Sequence, residues 1–385
     1  MRIALRTLAI FALLSVGAPA FAQGQQGVTR TYYLAADEIN WDYMPSGRDM
    51  MMATGMGRSR YGPFFAQHKP GYIGRIYRKA VYREYTDATF THLKPRSKDD
   101  AYLGTLGPIV YAEVGDTIKV VFRNHGTHPY SIHAHGVLYE KPSEGSTYAD
   151  GTMTMAHVGG AVPPGKTFTY VWAVPERAGP GPKDPSSIVW LYHSHANERA
   201  DVNTGLIGAI VITRKGMANA DGKPKDVDRN FVTLFMIYDE NASVLIDDNI
   251  KRFVKKTPKW SKLQNSPLDD QGNFDPFIGS GFVTANFRST VNGYQFANMP
   301  IPQMHVGEHV RWYVISLGEG LNIHTPHWHG NTVLVGGQRT DVVLLGPASM
   351  VTADMVPDAP GIWLFHCHIS EHMESGMAAD YQVLP

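Results

Sequence analysis

The chain has almost no cysteine. Of its 385 residues only Cys367 carries a thiol, so no disulfide can close within the chain and a disulfide-framework fold is excluded. Charge of one sign is also missing: 35 Lys and Arg balance 35 Asp and Glu, which leaves no footprint for nucleic acid or an anionic membrane surface. Long apolar runs are absent after the N-terminus, so no bilayer-spanning helix is expected. The one apolar run, Leu8 to Val16, follows Arg2 and Arg6 and precedes Ala20-Phe21-Ala22. That pattern predicts a signal peptide over residues 1–22 and a periplasmic or secreted protein; Arg2 and Arg6 are not adjacent, so a twin-arginine signal is not supported. In an exported protein, a single thiol held inside a string of metal-ligand residues is best explained by a bound metal. Helical periodicity is scarce as well. Short Val/Ile/Tyr/Phe-rich segments punctuated by Gly and Pro predict an all-β chain of sandwich type.

Histidine is present in quantity, 17 in all, and its spacing is informative. Cys367 lies in the string His366-Cys367-His368-Ile369-Ser370-Glu371-His372-Met373-Glu374-Ser375-Gly376-Met377. In an extended strand alternate side chains share a face, so His366 and His368 point one way and Cys367 the other. Past the strand, His372 and Met377 can fold back to the Cys367 side. Thiolate, imidazole and a weak axial thioether are the donors of a blue-copper site. His133-Ala134-His135-Gly136 and His193-Ser194-His195 are further period-two pairs, and His324-Thr325-Pro326-His327-Trp328-His329 adds a third. Parity puts His327 and His329 on one face and His324 on the other, although Pro326 is expected to break the strand there. Two donor sets result. His324, Cys367, His372 and Met377 suit one ion; His133, His135, His193, His195, His327, His329, His366 and His368 suit a cluster of three.

In this order along the chain, these clusters resemble the copper signatures of multicopper oxidases. Segments 32–43, 81–90, 106–118, 136–141, 204–208 and 360–368 are similar to ceruloplasmin and hephaestin, ferroxidases with six cupredoxin domains where this chain has room for two. The resemblance implies two tandem cupredoxin-like Greek-key β-sandwich domains. It implies four coppers per chain: type 1 at His324, Cys367, His372 and Met377; type 2 at His133 and His327; a type 3 pair at His135, His193, His195, His329, His366 and His368. Two-domain members of the family are homotrimers, with each cluster between one chain and the next.

The expected division is residues 23–215 for the first domain, 216–229 for a linker and 230–385 for the second. Val114 to Phe122 matches Val306 to Tyr313, and Ile188 to His193 matches Gly361 to His366. The stretch Asp247 to Thr290 reads as extended connection. The repeat is asymmetric: Ser194 stands for Cys367, Arg199 for His372, and Leu206 lies near where Met377 lies. Serine is a poor copper ligand, and arginine and leucine do not ligate. One blue site per chain is therefore expected, in the second domain.

The activity implied is four one-electron oxidations of a reductant coupled to reduction of dioxygen to water, with electrons passing from Cys367 to His366 and His368. Fe(II) is the first-choice reductant, with Glu371 and Glu319, and Glu374 nearby, as hard ligands beside the blue site. A laccase acting on phenols or aromatic amines comes next. Cuprous oxidation comes third, on the thioethers of Met44, Met50, Met51, Met52 and Met56. Glu140 and Glu144 are candidate proton carboxylates and Tyr139 a reserve electron donor. A nitrite reductase would place its blue site in the first domain and needs no eight-histidine cluster; a non-enzymatic relative would be expected to have lost many of these ligands.

Overall fold

One sheet arrangement is built twice along the chain. The computed structural model describes residues 27–52, 54–55, 62–66, 71–151, 158–254 and 282–385; the signal-peptide expectation and Met56 lie outside them. In the first half, strands Ile76–Tyr85, Thr29–Asp42, Thr117–Asn124 and Thr167–Ala173 form one sheet in that order. A second sheet runs Val110–Glu113, Ile207–Thr213, Ser187–His193, His133–Ala134. In the second half, Phe287–Val291, Arg229–Asp239, Val310–Ser316, Met350–Met355, Val333–Val335 and Gln338–Thr340 form one sheet. Gln303–His305, Ala378–Leu384, Gly361–Cys367 and Pro326–Trp328 form its partner. Each of the four sheets contains a single parallel pair in an otherwise antiparallel ladder. Among the described residues no helix is long and apolar enough to cross a membrane.

The period-two pattern is obscured in the central strands because both faces are buried. All seven residues of Ile207–Thr213 are buried. Ile210 and Ile212 pack into the core of the first half, whereas Ile207, Ala209 and Val211 join a core shared with Phe231, Trp312 and Phe365 of the second half. The strand alternates between two cores instead of between core and water, and so reads as a continuous apolar run. In the shared core Trp312 touches the rings of Phe231, Phe365, Trp328 and Tyr381 at centroid distances of 5.0, 5.2, 6.0 and 5.8 Å. Each such pair contributes about 0.5–1.5 kcal/mol beyond its area.

The 247–290 expectation needs correction. Ile246–Phe253 is a helix, with Asp247 and Asp248 in its first turn and Lys251 and Arg252 in its last, the charge order the helix dipole favours. Asn249 anchors it by accepting from the Arg78 N–H at 2.5 Å and donating to the Arg78 carbonyl at 3.1 Å. Residues 255–281 lie outside the described residues, and Phe287–Val291 is a strand antiparallel to Arg229–Asp239.

Candidate metal centres

The aromatic core aims the donors. In Pro326–Trp328 and Gly361–Cys367, Trp328 and Phe365 point inward and stack at 4.9 Å. Alternation then turns His327, His329, His366 and His368 to the opposite face and leaves Cys367 inside with Phe365. Pro326 opens its strand opposite Cys367 instead of breaking it, a position where a missing N–H costs no ladder bond.

Inside, three donors meet. One donor atom from each of His324, Cys367 and His372 lies within 4.8 Å of the others, and all three residues are buried. His324 Nδ1 faces His372 Nδ1 at 3.2 Å, and the Cys367 sulfur is 3.6 Å from His372 Nδ1. Two imidazole nitrogens at that separation suit ligands each about 2 Å from one shared ion. Burial pushes His324 down to about 3 and His372 to about 4, so both rings are neutral at neutral pH, as ligation requires. Burial raises the Cys367 thiol, so a metal must displace its proton. The Thr325 N–H donates to the sulfur at 3.4 Å. Met377 is fully buried just past the helix Ser370–Glu374, and its carbonyl accepts from the Cys367 N–H at 3.1 Å.

On the outer face, His329 Nε2 and His366 Nε2 approach to 3.0 Å, and the His327 ring lies 5.4 Å from those of both His366 and His368. The first half repeats this figure. His135 Nε2 and His193 Nε2 are 3.1 Å apart, and the His133 ring lies 5.4, 5.6 and 5.2 Å from those of His135, His193 and His195. His133 pairs across its strands with His193 as His327 pairs with His366. Each pair ends in a glycine with positive φ, Gly136 or Gly330, where a Cβ would strike the ring of Trp190 or Trp363.

The second ring nitrogens are pinned symmetrically. His133 Nδ1 donates to the Glu144 carbonyl at 2.7 Å and His327 Nδ1 to that of Asp341 at 3.0 Å. His193 Nδ1 donates to the Ser194 carbonyl at 3.0 Å and His366 Nδ1 to that of Cys367 at 2.8 Å. Backbone acceptors of this kind fix the tautomer of metal-ligating histidines and leave Nε2 for the ion. Burial holds His135 and His366 at about 4 and His193 at about 3. The two sets therefore differ in the nitrogen they offer: Nδ1 inside, Nε2 outside. Each half holds four of the eight outer histidines, and among the described residues no outer ring of one half touches an outer ring of the other.

Not every expected residue stands ready. Glu319 is bound by Arg199 in an exposed ion pair, so it is not a free ligand. Glu371 is exposed on the helix that carries His372. Glu374 is half-buried on the same helix and Glu140 is exposed. Burial favours the neutral form of Glu144, but Lys141 at 2.5 Å and the Tyr148 hydroxyl at 2.9 Å outweigh it and hold the carboxyl below the usual range. Its carbonyl, not its carboxylate, holds His133. Tyr139 is half-buried, its ring 6.1 Å from that of His133. Met44 is fully buried, whereas Met50 and Met52 are exposed.

Three residues were missed. Asp341 holds His327 and, with His329 and Asp358, lines a cavity of about 410 Å³. Asn322 sits behind His324, its Oδ1 3.1 Å from Nε2. Asp201, not Arg199, takes the place of His372. The Leu206 N–H donates to the Asp201 carbonyl at 3.1 Å as the Met377 N–H donates to that of His372 at 2.9 Å. Only a count backwards from Leu206 finds it, because Ser194 to Leu206 is twelve positions where Cys367 to Met377 is ten.

Paired β-sandwiches place a buried thiol–imidazole cluster beside an outward histidine set, a combination of donors that suits a soft transition metal such as copper. Residues 267–385 and 103–216 match two family models, each described as multicopper oxidase. The chain belongs to the multicopper oxidase family. It is 39% identical over 357 residues to ferroxidase HEPHL1 of Mus musculus, covering 92% of this chain and 29% of that protein. It is 38% identical over 361 residues to hephaestin of Rattus norvegicus, covering 93% and 30%. With ceruloplasmin of Homo sapiens the identity is 37% over 358 residues, covering 92% and 31%. The chain thus spans 29% to 31% of the length of these curated relatives. A blue copper oxidase from Nitrosomonas europaea shares the fold, with a TM-score of 0.55 at 18% identity over 92% of this chain and 86% of that one.

Proposed function

We propose that this chain couples four one-electron oxidations of a reductant to the reduction of dioxygen to water, with two cupredoxin-like domains divided within residues 216–229. The observation that carries the reading is the back-to-back placement of the two donor sets on one strand. His366 and His368 face the outer set, Cys367 faces the inner one, and the Cys367 carbonyl is hydrogen-bonded to His366 Nδ1 at 2.8 Å. The reductant side and the oxygen side are thereby joined by covalent bonds and one hydrogen bond. Copper, when bound, supplies the one-electron steps at the inner set and the multi-electron chemistry of dioxygen at the outer one. His324, Cys367, His372 and Met377 would hold the type 1 ion, and the eight outer histidines the type 2 and type 3 ions, four coppers per chain.

Four histidines per half make half a cluster each. The separation of the two sets within one chain supports assembly through the first domain of one chain and the second domain of the next, hence a homotrimer. Protons reach the outer set through carboxylates, and Asp341 beside its cavity is better placed than Glu144, whose charge is already spent on Lys141.

For the reductant, Fe(II) fits best. Ferroxidases are among the relatives, and Glu371 presents an exposed carboxylate next to His372. A second reading, oxidation of phenols, is favoured by the engagement of Glu319 with Arg199, which leaves fewer carboxylates free. Oxygen consumption with Fe(II), Cu(I) and a phenol in parallel tests the assignment. Glu371→Gln should lower kcat/KM for Fe(II) by tens-fold, roughly 2 kcal/mol, and that for the phenol by less than about threefold. Equal losses would indicate general damage, and an unchanged rate with iron would make the phenol reading the better one.

A further inference from the structure

We infer that Asn322 is the positioning residue that selects the ring nitrogen His324 presents to the inner site; the inference rests on the reading of that site as a metal centre. Asn322 is 3% exposed and sits two residues before His324. Its orientation is dictated by a backbone. Oδ1 accepts from the Ile237 N–H at 2.7 Å, and Nδ2 donates towards the Ile237 carbonyl at 3.4 Å. An amide flipped by half a turn would set donor against donor and acceptor against acceptor. The atom 3.1 Å from His324 Nε2 is therefore the oxygen, and Nε2 must carry the proton. The Nδ1 lone pair is then directed at His372 Nδ1 and the Cys367 sulfur.

The strand ladder explains why Ile237 is available. Arg229–Asp239 pairs in parallel with Val310–Ser316, and the register ends at Phe235 opposite Ser316. Ile237 lies beyond that end on the same edge, with backbone groups the neighbouring strand no longer reaches. The Asn322 side chain takes the place of the missing strand. Gly318 makes room, since a Cβ there would come within 2.4 Å of Asn322 Nδ2. A buried amide with all of these partners satisfied has one arrangement, and it transmits that arrangement to the imidazole.

Two substitutions separate this role from simple packing. In the copper-loaded full chain, Asn322→Leu removes the acceptor and frees both tautomers. Copper held at the inner site, followed by the thiolate–copper absorption during competition with a chelator, should weaken by about 10–100-fold, while the paramagnetic signal of the outer set stays unchanged. Asn322→Asp keeps an acceptor for the Ile237 N–H and for Nε2, and loses only the 3.4 Å donation to the Ile237 carbonyl. Copper retention should stay within about threefold, and the midpoint potential of the blue band should fall as pH is raised through the range where the buried carboxyl ionises. A negative charge behind His324 favours the more positive oxidation state, which sets the direction of that fall. Equal losses of retention in both variants, or an unchanged retention in Asn322→Leu, would overturn the inference. If Asn322→Leu does not accumulate as folded protein, Asn322→Asp decides alone, and a potential that does not move rejects the role. A protein with no blue band even before substitution would instead remove the reading of the inner site, a separate failure.

Discussion

The inner pocket of the second half and its counterpart in the first are one backbone figure with two chemistries. In the second half the pocket holds His324, Cys367, His372 and Met377. In the first, Tyr130, Ser194, Asp201 and Leu206 stand in their places, and the matching contacts survive. The Thr325 N–H donates to the Cys367 sulfur at 3.4 Å, and the Ser131 N–H to the Ser194 hydroxyl oxygen at 3.0 Å. The Cys367 N–H donates to the Met377 carbonyl, and the Ser194 N–H to that of Leu206, both at 3.1 Å. Ser194 Oγ donates to Asp201 Oδ2 at 2.7 Å where Cys367 faces His372. Where the second half gathers soft donors, the first holds a short hydrogen-bond network. The outer histidines are nevertheless oriented alike in both halves, by strand alternation and by the backbone carbonyls that hold His133, His193, His327 and His366.

Removing the thiolate gives the sharpest break between the pockets. Cys367→Ser recreates in the second half what Ser194 is in the first. The blue absorption should vanish, bound copper should fall by one per chain, and turnover should drop by about three orders of magnitude or more, with the fold intact. A variant that stays blue would detach Cys367 from the proposed site.

The outer sets should behave as equals despite the difference behind them. His133→Ala and His327→Ala should each lower turnover on the order of a hundred-fold through loss of a ligand. Mixed together, the two variants should recover part of that activity, because an intact first-half set on one chain can meet an intact second-half set on another. A fully active monomer in sedimentation would exclude a shared cluster.

The counterpart pocket should reveal itself through pH. Burial pushes the Asp201 carboxyl up from 3.8 to about 6. A carboxyl whose folded value is raised stabilises the fold only while protonated, so the contribution is complete below about 3.8 and is lost as pH rises through about 6. Across pH 4 to 8 the chain should lose roughly 2–3 kcal/mol relative to Asp201→Asn, which cannot ionise. Denaturant midpoints measured in parallel over that range check it; parallel curves would mean that folding does not raise the Asp201 carboxyl.

The unequal loops also explain what was legible in the sequence. His133, His135, His193, His195, His327, His329, His366 and His368 could be sorted by face because strand alternation is local. The β class and the repeat were visible for the same reason. Asp201 was hidden by two extra residues in its loop, which made a count forward from Ser194 land on Arg199. Asn322 and Asp341 are ordinary polar residues until the Arg229–Asp239 strand and the chain at Asp341 are brought against His324 and His327. Ile246–Phe253 was hidden by its polar composition, since only Asn249 and Ile250 are buried on it.

The smallest effect expected is the one that separates Asp201 from Arg199 as the counterpart of His372. Arg199 is 63% exposed and pairs with Glu319, itself 49% exposed. Such surface pairs contribute at most about 1 kcal/mol, because water screens the charges and two long side chains must be ordered. Arg199→Ala should therefore change the denaturant midpoint by less than that amount. Asp201→Ala removes the acceptor of the buried Ser194 hydroxyl and of the more exposed Asn197 N–H, and a buried donor left without a partner costs roughly 1–3 kcal/mol. If Arg199 stood where His372 stands, truncating it would open a buried pocket and the order of the two losses would reverse. A larger loss for Arg199→Ala than for Asp201→Ala would return the counterpart to Arg199 and undo the register on which the comparison of the two pockets depends.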